Sequence, residues 1–179
     1  IHQSNVLGTL NPIKEIIDNG HQRGCVVLVD GAQSIAHQEI DVEELGWDFF
    51  AFSGHKIYGP TGVGVLYGLM EKLEEMDPFM GGGEMISTVS KDGFTPNEIP
   101  WRFEAGTPPI AQVITLKVAI DYIKSIGIEN IAEYESDLLE YATTKILEID
   151  GIETYACGNF EKGPVISFNI KGVHSYDLT

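Results

Sequence analysis

The chain has 179 residues, 43% hydrophobic and 21% charged, a globular composition long enough to bury the core of one domain. Its 27 acidic residues against 11 basic ones leave a net charge of −16, which repels nucleic-acid phosphates and anionic membrane surfaces and argues against either as a partner. No apolar run approaches the roughly 20 residues that span a bilayer and no start resembles a signal peptide, so the cytoplasm is the expected compartment.

Asn11 before Pro12 reads as a helix start, with Ile13, Ile16 and Ile17 as the apolar stripe and Gly20 or Gly24 as the end. Cys25 to Asp30, CVVLVD, is an unbroken β-branched run, the pattern of a strand buried on both faces of a parallel sheet. A short helix around Asp41 to Gly46, a second strand from Asp48 to Ser53 and a third from Gly62 to Gly68 follow. Strands alternating with helices predict an α/β sheet covered by helices. Asp77 to Pro100, rich in glycine, proline and polar residues, is long for a connection and reads as a functional or disordered loop.

Pro108 to Gly127 is mostly apolar and is expected to form a buried helix. Ile128 to Asp150 is amphipathic, with Ile131, Tyr134, Leu138, Ala142, Ile146 and Ile149 spaced by three or four. Ile152 to Ala156 and Pro164 to Ile170 read as two strands of a different sheet, which places a domain boundary near Gly127, between units 1–127 and 128–179. The chain starts at Ile1 without a methionine and stops in HSYDLT, which reads as a helix start, so a fragment of a longer protein is expected. Cys25 and Cys157 are far apart and lack metal-ligand spacing, so both read as structural thiols.

Glycine-rich turns suggest phosphate loops, but the known patterns fail. Gly62, Gly64 and Gly68 have the wrong last spacing for a dinucleotide fingerprint and open a strand, and Lys56 precedes its glycines instead of following them as in a Walker motif. His2, His21, His37, His55 and His174 show no close pair on one helix, so no metal site is indicated. What remains is a pair of strand ends, DGAQ (Asp30 to Gln33) and SGHK (Ser53 to Lys56), where ligands bind in an open α/β sheet if the strands run parallel.

Taken singly, Asp30 reads as a turn cap and Lys56 as a surface lysine. Together they fit pyridoxal phosphate. An amine can bond to the cofactor aldehyde, and a carboxylate beside the pyridine nitrogen keeps it protonated so that the ring accepts electrons. Ser53, Gly54 and His55 suit the phosphate, and Gln33 suits the ring's phenolic oxygen.

VLVDGAQSIAHQEIDVEELGWDFFAFSGHKIYGPTGVGVLYG, with GGGEMISTVS and WRFEAGTPP, resembles the class V aminotransferase family of fold type I, and among its members the cysteine desulfurases of iron-sulfur cluster assembly. The similarity runs over essentially the whole chain. It implies an α/β pyridoxal phosphate-dependent transferase fold, mainly parallel, with the start of a smaller α+β domain at the C-terminal end. It implies that Lys56 is the Schiff-base lysine, Asp30 the pyridinium partner, Gln33 the phenolate contact, and Ser53 and His55 the phosphate ligands. Ala32 would pack on the ring, Asn5 matches a position near cofactor and substrate, and Gly106 and Thr107 would reach the phosphate of a neighbouring subunit in a homodimer.

Asn5 reads equally as a turn residue and Thr107 as a helix cap, and Arg102 reads as an ion-pair or stacking residue. Desulfurases also need a nucleophilic cysteine and a carboxylate-clamping arginine late in the chain, and neither Cys25, at a buried strand start, nor Cys157 matches. His2 does not match the family's ring-stacked histidine. The implied reaction converts L-cysteine to L-alanine and an enzyme persulfide for iron-sulfur assembly, with a sulfur-acceptor protein as a further partner. This chain alone is not expected to be competent. Selenocysteine lyase, epimerase or kynureninase chemistry on the same scaffold, and a non-catalytic interaction fragment, are the alternatives.

Overall fold

The computed structural model describes residues 1–155 and 161–178. Helix α1 (Ile13–His21) leads to strand β1 (Leu28–Asp30), short helix α2 (Val42–Leu45), strands β2 (Phe49–Ser53) and β3 (Gly64–Gly68), and helix α3 (Met70–Glu74). The hairpin β4 (Ile86–Val89) and β5 (Phe94–Pro96), the long helices α4 (Ile110–Ile126) and α5 (Ile128–Leu147), and strands β6 (Ile152–Tyr155) and β7 (Ser167–Ile170) complete it.

The main sheet has the order β1-β2-β3, with β1 and β2 parallel and β3 antiparallel to β2. β6 and β7 pair antiparallel in a sheet of their own, the separate sheet that the sequence predicts. α2 also forms as expected: the Asp41 carboxylate accepts the Glu43 and Glu44 amides at 2.8 and 3.0 Å, closing two donors that the first turn leaves open.

The core lies where α1 covers β1 and β2. Ile13, Ile17, Val29, Trp47 and Phe50 form one buried cluster, and the Trp47 and Phe50 rings stack with centroids 4.5 Å apart. Burying a side chain such as Phe50 contributes about 1.5 to 3 kcal/mol. Asp48 fastens the end opposite the strand tips: its Oδ2 accepts the Val27 amide at 2.6 Å and lies 2.9 Å from His21 Nε2, joining the end of α1 to the approach of β1 and the start of β2.

Several local expectations need correction. β1 is shorter than CVVLVD, and Val26 and Leu28 are exposed; the run is apolar enough for two buried faces, but α1 covers one. Cys25 is an exposed free thiol ahead of the strand, not a buried one, and Cys157 lies outside the described residues. The Asn11 side chain does not cap α1; its amide donates to the Ile1 carbonyl at 2.8 Å. The segment 77–100 is no plain loop, since it contains the β4–β5 hairpin.

α4 buries only Leu116 and Ala119, while Ile114 and Val118 are each 64% exposed. Leu116 and Ile123 seat it on the Lys56 turn through Ile57 and Ala36, and it also meets α5, while Ile110, Val113, Ile114 and Val118 stay exposed. No side chain caps α4, which excludes Thr107 as its capping residue. In α5 only Ile131 of the predicted stripe is buried; Tyr134 and Leu138 are exposed, and the inward face runs through Ile131, Glu135, Leu139, Ala142 and Ile146.

Candidate active site

The parallel register sets Asp30 opposite Ala51, so β1 ends two residues before β2 does. Both carboxyl tips therefore open on the same edge, each followed by a tight turn. After β1, Ser34 and Ile35 amides donate to the Gly31 carbonyl at 3.1 and 3.0 Å, and the His37 amide donates to Ser34 at 3.0 Å. Gly31 itself has no room for a side chain: a Cβ would stand 2.0 Å from Phe50 Cζ. That close approach drops the turn onto the core and leaves Asp30 at the rim.

Asp30 is exposed, and its Oδ1 accepts the Ala32 amide at 2.9 Å. Its second oxygen has no hydrogen-bond partner among the described residues. The Asp30 carbonyl accepts the His2 amide at 2.8 Å, which fixes the carboxylate's backbone from the other side. Ala32 and Gln33 are half-buried along the same turn.

After β2, the chain turns through a single 3-10 turn, Gly54–Ile57. The Gly54 amide donates to Val63 at 2.9 Å, and the Tyr58 and Gly59 amides return to the Gly54 carbonyl. Tyr58 takes a left-handed φ of 61° to close the turn, a conformation that costs a non-glycine residue energy and persists only where the surroundings enforce it. Ile57 is buried against Ala36 and Leu116. With Ile57 pinned inward, His55 and Lys56 are exposed, and neither has a hydrogen bond or ion pair among the described residues. Ser53, half-buried, sits at the last rung of β2 opposite Gly64.

Asn5 lies in an exposed turn in which Ser4 Oγ accepts the Val6 and Leu7 amides; the segment is anchored beside β1 through His2. His2 is buried, and burial lowers its pKa. Gly106 and Thr107 line a cleft of about 320 Å³ with Gly62, Val63 and Gly64, and the lining of that cleft does not include Asp30, Gln33 or Lys56. Arg102 makes no ion pair among the described residues; its Nε donates to the Asn97 carbonyl at 3.3 Å. His37 has no nearby partner in sequence, yet its Nδ1 lies 2.8 Å from Glu135 Oε2, 98 residues away. No local signal announces a contact at that separation.

Chemically, the rim presents an unpaired primary amine, a carboxylate fixed at one oxygen, an amide, a hydroxyl and an imidazole. That donor set fits pyridoxal phosphate, which needs an amine for its aldehyde, an anion for its ring nitrogen and small donors for its phosphate. Among the described residues no group of His, Cys, Asp or Glu side chains could hold a metal ion, and no helix is long and apolar enough to cross a membrane.

An α/β sheet carrying these groups at the tips of two adjacent parallel strands has the fold of pyridoxal phosphate-dependent transferases. The chain belongs to the class-V aminotransferase family, whose family model (Aminotransferase class-V) matches residues 1–179. A cysteine desulfurase from Haloferax volcanii is 48% identical over 100% of this chain and 42% of its own length. The crystal structure of the cysteine desulfurase CsdA from Escherichia coli superposes with a TM-score of 0.93 at 41% identity, over 99% of this chain and 44% of that one. C-DES, a cystine C-S lyase solved with its PLP cofactor, superposes with a TM-score of 0.84 at 28% identity, over 95% of this chain and 46% of its own. The chain thus spans less than half the length of each.

Proposed function

We propose that this chain is the cofactor-binding part of a pyridoxal phosphate-dependent cysteine desulfurase. The observation that carries the reading is the parallel β1–β2 pair, with Asp30 at one tip and Ser53, His55 and Lys56 just past the other. The similarity to proteins named cysteine desulfurases, and to a lyase solved with cysteine persulfide, supports C–S bond cleavage on a cysteine-like substrate.

Bound here, pyridoxal phosphate supplies an aldehyde that condenses with amines and a ring that accepts the electron pair left at a substrate's Cα. Asp30 would hold the proton on the ring nitrogen with its free oxygen, while the Ala32 amide keeps the other in place. Lys56 would hold the cofactor by its aldehyde and, once displaced by substrate, move the proton at Cα. Gln33 would donate to the phenolic oxygen and Ala32 would let the ring lie close. Ser53 and His55 would bind the phosphate, with Gly106 and Thr107 reaching it from a second copy of the chain in a homodimer. Asn5 would face the substrate side.

The overall change would convert L-cysteine and an enzyme thiol to L-alanine and an enzyme persulfide. We assign that thiol to no residue described here: Cys25 stands at the far end of β1 from the site. A role in iron-sulfur assembly, a sulfur-acceptor protein, a cytoplasmic setting and a division into units 1–127 and 128–179 complete the proposal. In the complete polypeptide, Lys56→Ala is expected to abolish the visible absorbance of lysine-bound cofactor and the release of alanine from cysteine; an unchanged spectrum would refute the assignment.

A further inference from the structure

The turn that follows Asp30 is held at its outer end by one side-chain pair. His37 Nδ1 lies 2.8 and 3.0 Å from the two carboxylate oxygens of Glu135, which stands on the inward face of α5. The two side chains are 26% and 20% exposed, so water and salt screen this contact less than the surface pair Lys14–Asp18. Among the described residues it is also the one ion pair that bridges the two sides of Gly127; the others lie on one side of it. The pair borders a cleft of about 200 Å³ whose other polar lining includes Gln3, Gln38, Ser136 and Lys162.

Little slack separates His37 from the carboxylate at the rim. The His37 amide is bonded to Ser34, the Ser34 and Ile35 amides to Gly31, and the Gly31 amide to Ala51 on β2 at 2.8 Å. Ser34 and Ala36 are buried and Gly31 lies against the Phe50 ring. A displacement at His37 is therefore passed along a hydrogen-bonded turn to the residues flanking Asp30.

We propose that Glu135, acting through His37, is a positioning residue that holds the 31–38 turn so that Asp30 and Gln33 stay aimed at the cofactor ring. The inference rests on the cofactor reading above. Removing the carboxylate leaves a half-buried imidazole without its acceptor and frees the turn's outer end.

The test uses the complete polypeptide, stripped of cofactor and titrated with pyridoxal phosphate while its visible absorbance is followed. Glu135→Ala and His37→Ala are each expected to weaken binding on the order of tenfold, the size of a lost charge-assisted hydrogen bond. The double variant should lose no more than either single one, because both remove the same contact. Glu135→Gln, whose amide oxygen still accepts from Nδ1–H, should stay within about threefold of wild type. Glu135→Met keeps the stem volume and replaces the alanine variant if that one does not fold.

Wild-type affinity in the single variants, losses that multiply in the double, or a glutamine variant as weak as alanine would each overturn the inference. A wild-type protein that binds no cofactor overturns the earlier reading together with this one. Binding by wild type with unperturbed variants overturns this one alone.

Discussion

Gly31 and Asp48 set opposite ends of the same strands, and each carries a sharp expectation. A methyl group at residue 31 would overlap the Phe50 ring, which is itself stacked on Trp47 and cannot retreat. Gly31→Ala should therefore destabilise by about 3 kcal/mol, read as a lower midpoint in thermal or urea unfolding. Asp48 is nearly buried, and burial alone would raise its pKa; the Val27 amide, the His21 hydrogen bond and the charges of His21 and Lys72 outweigh that and hold it below the ordinary value. A carboxyl lowered on folding contributes stability that is complete above its unfolded pKa of about 3.9 and is lost as pH falls through the folded value. Urea unfolding should therefore show stability declining below about pH 4, with a shallower decline in Asp48→Asn; equal slopes in the two proteins would refute the role.

Among the elements, α2 is the case where sequence and structure agree in detail, because an Asp cap and a closing glycine are short-range chemistry. Asp41→Ala should cost about 1 kcal/mol in thermal unfolding, with no change in cofactor binding. The β1 and β2 tips were legible for a similar reason: each pairs an apolar run with a polar turn, and a parallel pair puts both turns on one edge. The β4–β5 hairpin was missed although Asp92-Gly93 is a hairpin dipeptide, since Ser, Thr and Lys around it dilute the strand pattern. The face of α5 was misassigned because periodicity ranks Tyr134 and Leu138 above a carboxylate. Glu135 takes an inward position and meets His37 there, and a distant partner leaves no trace in helical spacing.

At the scale of the molecule, the exposed side chains of α4, Ile110, Val113, Ile114 and Val118, form an apolar strip on a chain of net charge −16. The 179-residue polypeptide in isolation should self-associate as salt screens that charge, seen as light scattering that rises with ionic strength, and Ile114→Glu with Val118→Lys should suppress it. The chain's two ends also meet. Leu10 donates to Glu161, Gly163 to Gly8, and Ser167 to Val6 across a separation of 161 residues. Closing so long a loop costs entropy that only a nearly complete fold can offset. The seam is thus a clock for folding: in pulse-labelling with deuterium during refolding, the Leu10 and Gly163 amides should be among the last to stop exchanging.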